Sequence, residues 1–272
     1  MSEFEKLKVV TKYELLKQFR RKRFYGGLTL IVLAVVLAIG LYKGLDLPGR
    51  MQSPDSPELF ATFVTSMSSM IAILGAVFFA GDAIVSEFER KTGYILFPNP
   101  VKRTTLVVGK YIACVVATAI IIIIAYLISA GALLGFYQQV PGGILGSMAI
   151  ALMLACSVIS MAFVFSSVFK GGMGATIATL LTYLVIFSII SSALSAAGYD
   201  PWFLPNRAGN AVTATYGITL GQAFGGGFGG GHMGGLTSSS SPDPALSFFV
   251  LLGYTVVFLL ISIWLAKRRE MI

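Results

Sequence analysis

LVVGKYIACVVATAIIIIIAYLISAGALL, the run from Leu106 to Leu134, carries one charge, Lys110, near its start and none after it. A helix needs about 20 predominantly apolar residues to cross the hydrocarbon core of a bilayer. This run is longer, enough to tilt or to extend beyond the bilayer. Five more runs of the same kind flank it: Tyr25 to Tyr42, Leu59 to Gly81, Ile144 to Phe169, Gly171 to Ala197 and Ala245 to Ala266. Composition agrees with lipid as the solvent, because 56% of the 272 residues are hydrophobic and 12% charged, against about 45–50% and 25% in soluble domains. No stretch is polar enough to fold separately. The expectation is an all-α integral membrane protein, one transmembrane domain over residues 1–272 with six transmembrane helices.

The formal net charge of +8 is placed for topology. Eight Lys and Arg residues lie in residues 1–24, five between Asp82 and Lys110, one at Lys170 and three at Lys267, Arg268 and Arg269, whereas the intervening connections hold Lys43, Arg50 and Arg207. Seventeen against three predicts, by the positive-inside rule, that both termini and the segment after the second span are cytoplasmic. A nucleic-acid binder would spread its basic residues over a folded face with stacking aromatics, and here they border apolar runs. Nucleic acid is therefore not an expected partner. No small-residue cleavage site follows the first span, which is expected to stay as an anchor.

Three connecting segments stand out. Residues 1–24 have helical propensity and alternate basic with apolar residues, which suggests an interfacial connecting helix with Val9, Tyr13 and Leu16 on one face and Leu15 and Phe19 on another. Residues 82–110 form the charged cytoplasmic loop. Residues 198–244 form the longest external connection. Its first part, around Trp202 to Arg207, suits a re-entrant or surface helix, and its Gly/Ser-rich part after Gly225 has the composition of a linker. The acids of the first external connection, Asp46 and Asp55, are expected to be functionally silent.

Past Lys110 at its edge, none of the six apolar cores holds Asp, Glu, Lys, Arg or His, the residues that mark ion routes and proton relays inside spans. Energy for transport would then enter from outside the membrane. Gly109-Lys110 is followed by Tyr111 rather than the Ser or Thr of a P-loop, and the glycine-rich external loop neither follows a strand nor opens a helix. The chain is thus expected to have no nucleotide site, no catalytic residues and no enzyme activity of its own. Cys114 and Cys156 lie inside apolar runs without ligand spacing, and His232 with Met233 offers too few ligands for a soft metal, so no metal site is expected. In the fifth span Ala175, Thr179 and Thr182 recur at spacings of three and four. Small and hydroxylated residues permit close helix contact, which would serve a dimer seam, a substrate path or packing inside one subunit.

The stretch Asp82-Ala83-Ile84-Val85-Ser86-Glu87-Phe88-Glu89-Arg90-Lys91-Thr92, then Pro98-Asn99-Pro100-Val101-Lys102-Arg103, then Gly109-Lys110 resembles the permease subunits of the ABC-2 family. Their pattern here is an acid near the membrane, a Glu-x-Glu pair, a Thr, an apolar run, a Pro-x-x-Arg and a Gly-Lys opening the next span. The family's opening helix, with a Glu and a basic cluster, is matched by Glu14 and Arg20 to Arg23. The resemblance implies an ABC-2 (type V) exporter architecture in the cell membrane, with a permease homodimer joined to two ABC ATPase subunits that bind ATP and magnesium. It assigns Asp82, Glu87, Glu89, Thr92, Pro100, Arg103 and Lys110 to coupling: Glu87 and Glu89 to partner contact, Arg103 and Lys110 to bracing the return into the third span. Pro98 and the glycine-rich loop depart from the pattern and leave the cargo open. A path lined by Ser, Thr, Phe and Met suits a hydrophobic or amphipathic molecule. The alternatives are a membrane channel or an ATP-independent scaffold, and then an intramembrane enzyme, which the lack of paired acids in the spans disfavours.

Overall fold

The computed structural model describes residues 3–50, 55–86, 102–217 and 242–268. Seven long helices organise them: α1 (Glu3–Arg20), α2 (Lys22–Gly44), α3 (Pro57–Ala80), α4 (Arg103–Tyr137), α5 (Ile144–Val168), α6 (Gly172–Leu181, then a π turn Thr182–Ile186, then Phe187–Ala196) and α7 (Pro244–Arg268). Helices α2 to α7 supply six segments long and apolar enough to cross a membrane: Phe24–Gly44, Pro57–Ala80, Thr104–Tyr137, Ile144–Val168, Gly172–Ala196 and Pro244–Arg268. They match the six apolar runs to within a few residues. Among the described residues there is no strand. In lipid a spanning segment must satisfy its backbone polar groups internally, so apolar length alone commits these runs to helix.

Helix ends follow local chemistry. Ser56 accepts a hydrogen bond from Leu59 N at 3.2 Å and Pro57 takes the first helical position of α3, where its missing N–H costs nothing. Asp243 accepts from Ala245 N at 3.0 Å at the start of α7. With 35 residues, α4 is about 52 Å long, so its first turns project past the ~30 Å hydrocarbon slab.

Helix α5 is the centre, packed against α3, α4, α6 and α7. Its buried face mixes Ile150, Leu154, Ile159 and Phe163 with Ala151, Ala155, Ser157, Ser160 and Ala162, and the small side chains let neighbouring backbones approach. Buried hydroxyls mostly return to their own helix: Thr65 to Ala61 O, Thr118 to Cys114 O, Ser160 to Cys156 O and Ser167 to Phe163 O, at 2.7–2.9 Å. Each thereby satisfies its donor within its own helix. The hydroxyls of Tyr126 and Ser147 meet at 2.7 Å across α4 and α5. Helices α2, α6 and α7 are the most exposed spans, 22%, 11% and 17% buried over their apolar windows against 61% for α5.

At the end of the bundle away from α1, Gly198 (φ 83°) turns the chain back, and two short helices, Pro205–Gly209 and Ala211–Ala214, fold onto α5, α3 and α7. Ala208, Ala211 and Val212 are fully buried there. The π turn rotates Tyr183 into the bundle, where its hydroxyl donates to Pro205 O at 3.2 Å.

Candidate coupling site

Helix α1 lies along the first turns of α4. Glu3 meets Lys102 and Thr105, Val10 meets Gly109, Glu14 meets Lys110 and Gln18 meets Cys114, so the two helices run side by side in the same direction. The Gly109-Lys110 pair has a physical reason in this contact. A Cβ on Gly109 would sit 2.7 Å from Val10 Cγ1, inside any real contact distance, so glycine is what lets α1 close on α4. One residue on, Lys110 Nζ donates to Glu14 Oε1 at 3.0 Å, with side-chain exposures of 7% and 20%. Lys110 is therefore not a nucleotide-binding lysine on a loop but a buried partner inside a helix.

The same face of α1 continues to α3. Gln18, 4% exposed, donates from Nε2 to Phe79 O at 3.4 Å and to Cys114 Sγ at 3.5 Å. Its Oε1 has no hydrogen-bond partner among the described residues. Arg21, at the break between α1 and α2, places Nη1 3.3 and 3.2 Å from the two oxygens of Asp82, exposures 21% and 14%. Directly after Asp82, Ile84 N and Val85 N both donate to Ser166 Oγ on α5 at 3.1 Å. Gly81 allows this crowding at the end of α3, since a Cβ there would lie 2.1 Å from the Thr176 methyl of α6.

The structure thus ties both ends of the 82–110 segment to the N-terminal part of the chain: Lys110 to α1 through Glu14, and Asp82 to the α1–α2 junction through Arg21. Glu14 and Gln18, four positions apart, share one face of α1, and Arg21 follows directly where α1 breaks, so the end of α1 and its junction with α2 hold the end of α3 and the start of α4. Glu87, Glu89, Thr92 and Pro100 lie outside the described residues. Arg103 opens α4. The sequence reading missed Gln18, Arg21 and Ser166 as site residues. The spacing of Glu14, Gln18 and Arg21 by four and three was the available signal for the first two, and Ser166 gave none.

The small-residue face of α6 is occupied inside the chain. Ala175 and Thr179 are fully buried, Thr179 Oγ1 donating to Ala175 O, and Thr182 opens the π turn, half-buried. That face packs within the subunit. The exposed residues of α6 are mostly apolar, among them Met173, Ile177, Leu181 and Ile189.

Asp55 also departs from expectation. It accepts hydrogen bonds from Lys43 Nζ at 2.9 Å, Tyr42 OH at 3.2 Å and Tyr137 OH, and the Lys43 ammonium lies 4.6 Å from the Tyr137 ring centroid. Burial alone would raise the Asp55 pKa, but the bonds from Tyr137, Lys43 and Tyr42 together hold it below the usual carboxylate value. Asp55 is a clasp joining α2, the α2–α3 connection and the far end of α4, so it is no silent control.

The family model described as ABC-2 family transporter protein matches residues 9–271. Among curated proteins none matches. With six membrane-capable helices and a family match over nearly the whole length, the chain belongs to the ABC-2 transporter family and is a multi-pass membrane permease.

Proposed function

We propose that this permease works in the plasma membrane as a homodimer with two copies of a separate ABC ATPase. Both termini are cytoplasmic in this reading, and ATP with magnesium, bound on the partner, powers export of a hydrophobic or amphipathic molecule. The observation that supports it best is the double attachment of the 82–110 segment to the N-terminal part of the chain. Arg21–Asp82 and Glu14–Lys110 hold the two roots of the segment to α1 and its junction with α2, as suits a segment pushed by a soluble motor. Glu87 and Glu89 are assigned to the partner, Asp82 and Lys110 to the roots, and Arg103 to the start of α4. Seventeen basic residues on that side against three on the other support its cytoplasmic placement.

The test is copurification from native membranes followed by reconstitution. A P-loop ATPase should accompany the permease, and Glu87→Ala with Glu89→Ala should leave an inserted permease whose complex loses transport or cargo-stimulated hydrolysis. Asp46→Asn serves as the control. Transport by the purified permease without ATP would favour the channel reading instead, and normal transport by the Glu pair variant would remove the coupling assignment.

A further inference from the structure

Helix α6 changes character halfway along. Its first part, Gly172–Leu181, buries Gly172, Ala175 and Thr179 and packs on α3 and α5. Its outer part, Phe187–Ala196, buries no residue and has the short helix Pro205–Gly209 as its main neighbour outside α6. The π turn, Thr182–Ile186, separates the two. Phe187 N donates there to Thr182 O, a bond that reaches back five positions and so closes around one residue more than an α-helical turn. The extra residue keeps one face in line. Thr179, Tyr183, Phe187 and Ser191 follow one another in steps of four, which in a plain α-helix would carry the row about 120° around the cylinder. The wide turn takes this drift back, and all four remain buried or half-buried.

The turn is pinned, and the part beyond it is held at its near end alone. Tyr183, 3% exposed, donates to Pro205 O at 3.2 Å. Gly209 leaves it room, since a Cβ there would lie 3.0 Å from the Tyr183 hydroxyl and 3.4 Å from Leu154 of α5. Phe187 meets Tyr254 of α7 edge to face, ring centroids 6.4 Å apart, and Asn206 Nδ2 donates to Ser188 Oγ at 3.1 Å. Farther out, Ile189 and Ile190 are exposed, and Ser191 and Ser195 face a polar cavity of about 180 Å³ whose opposite wall carries Asn206 and Asn210 of the returning segment. An element with few buried contacts opens locally at low cost, and π turns are among the few places where helices bend sharply.

We infer that α6 is hinged at its π turn, with Tyr183 as the fixed pivot, the Asn206–Ser188 bond as the latch and Phe187–Ala196 as a strap that opens and closes the polar cavity. The ten residues of the strap span about 15 Å. A bend of about 20°, the size of a sharp kink, moves the end of such a strap by about 5 Å, enough to turn the cavity into a cleft. The inference rests on the proposed permease reading only for the use of the movement, which is access from the external side.

Deleting Val185, an exposed residue of the turn, shortens the wide turn to an α-helical one while both parts of α6 keep their faces. Ser188→Ala removes the latch and leaves the hinge. Electron–electron resonance between nitroxide labels at Leu145, on the first turn of α5, and Ser192, on the strap, reads the movement in the intact permease in nanodiscs without the ATPase. Leu145 with Ile177, on the packed part of α6, is the control pair. The otherwise unaltered protein should show two Leu145–Ser192 distances about 5 Å apart and one Leu145–Ile177 distance. Ser188→Ala should raise the ratio of open to closed about fivefold, and deletion of Val185 should leave one distance. One Leu145–Ser192 distance in both the unaltered protein and Ser188→Ala would overturn the hinge. A matching split in the control pair would overturn it too, because α6 would then move as one rod, and so would two distances persisting in the deletion variant at unchanged helical content. An unchanged ratio in Ser188→Ala would overturn the latch. Should the deletion variant misfold, the unaltered protein and Ser188→Ala still decide. Because no ATPase enters, failure here leaves the permease reading standing, whereas a strap that moves as expected in a protein that carries no cargo would count against that reading alone.

Discussion

Replacing Glu14 by Gln should loosen α1 more than replacing Lys110 by Met, although the two side chains share one ion pair. At 3.0 Å the gross Coulomb attraction is roughly 5–6 kcal/mol at an effective dielectric of 20, and desolvation of both groups offsets much of it. A charge-assisted hydrogen bond then contributes about 1.5–3 kcal/mol net. The asymmetry comes from burial. Lys110→Met leaves behind a carboxylate that is 20% exposed and can be hydrated, so the cost stays near the lower figure, about 1.5 kcal/mol. Glu14→Gln deprives an ammonium that is only 7% exposed of its carboxylate, which moves the cost toward the ~3–5 kcal/mol of a broken buried pair. At tenfold per 1.4 kcal/mol, amide exchange in α1 should accelerate roughly 10-fold in Lys110→Met and 100-fold or more in Glu14→Gln. The double variant should fall below the product of the two. Hydrogen exchange with mass spectrometry on the intact permease in nanodiscs reads all three, with Asp46→Asn as the control. Rates within twofold of wild type for both single variants would show that the pair does not hold α1. A double variant equal to the product of the singles would show that the two residues act independently.

Gly81→Ala should destabilise the end of α3 by about 1–3 kcal/mol through overpacking, because the new methyl would lie 2.1 Å from Thr176 Cγ2; Thr176→Ser should recover part of the loss in a thermal melt, and no recovery would place the strain elsewhere. Asp55 contributes stability that is fully present above its unfolded pKa of about 3.9 and is lost as pH falls through its lowered folded value. Melting temperature in detergent should therefore drop below about pH 4 in the wild type, with a shallower drop in Asp55→Asn; identical profiles would remove Asp55 from the clasp.

The spans were legible because apolar length is a property of consecutive residues, and a membrane leaves such a run one way to fold. The attachment of the 82–110 segment was not, because Glu14 and Lys110 are separated by 96 positions and Arg21 and Asp82 by 61. Nothing local says which acid meets which base. The pattern carried a partial signal: Gly109 and Lys110 were recognisable as a motif, and the structure gives its two halves separate physical tasks, close approach and charge pairing. At Ala175 and Thr179 the sequence showed that something packs closely but not what, since the same spacing fits α3 and α5 of its own chain as well as another copy. At Asp55 an acid in a loop looked solvated because Tyr137, its partner, lies 82 positions away.

Under the proposed function, the value of the two attachments lies in what each would permit alone. With Arg21–Asp82 only, a push on the segment would move the end of α3 and leave the start of α4 free to lag; with Glu14–Lys110 only, the reverse would hold. Because Glu14 and Gln18 share one face of α1 and Arg21 lies at its junction with α2, and Gln18 reaches Phe79 O and Cys114 Sγ between the two pairs, the roots cannot separate without breaking contacts at the end of α1. α1 runs into α2 across a single extended residue, Arg21 (ψ 132°), and Ser166 adds α5 through two backbone donors. Displacement of the segment therefore reaches α2, α3, α4 and α5 together, whereas α6, the least buried of the described spans, packs on α3 and α5 through Ala175, Thr176 and Thr179 in its first half and has no buried residue between Phe187 and Ala196, so its far half is what can shift relative to them. That places the expected movement beside the polar cavity whose lining α6 shares with the returning segment, and a spectroscopic distance between labels on α5 and α6 should change on ATP binding more than one between α3 and α4.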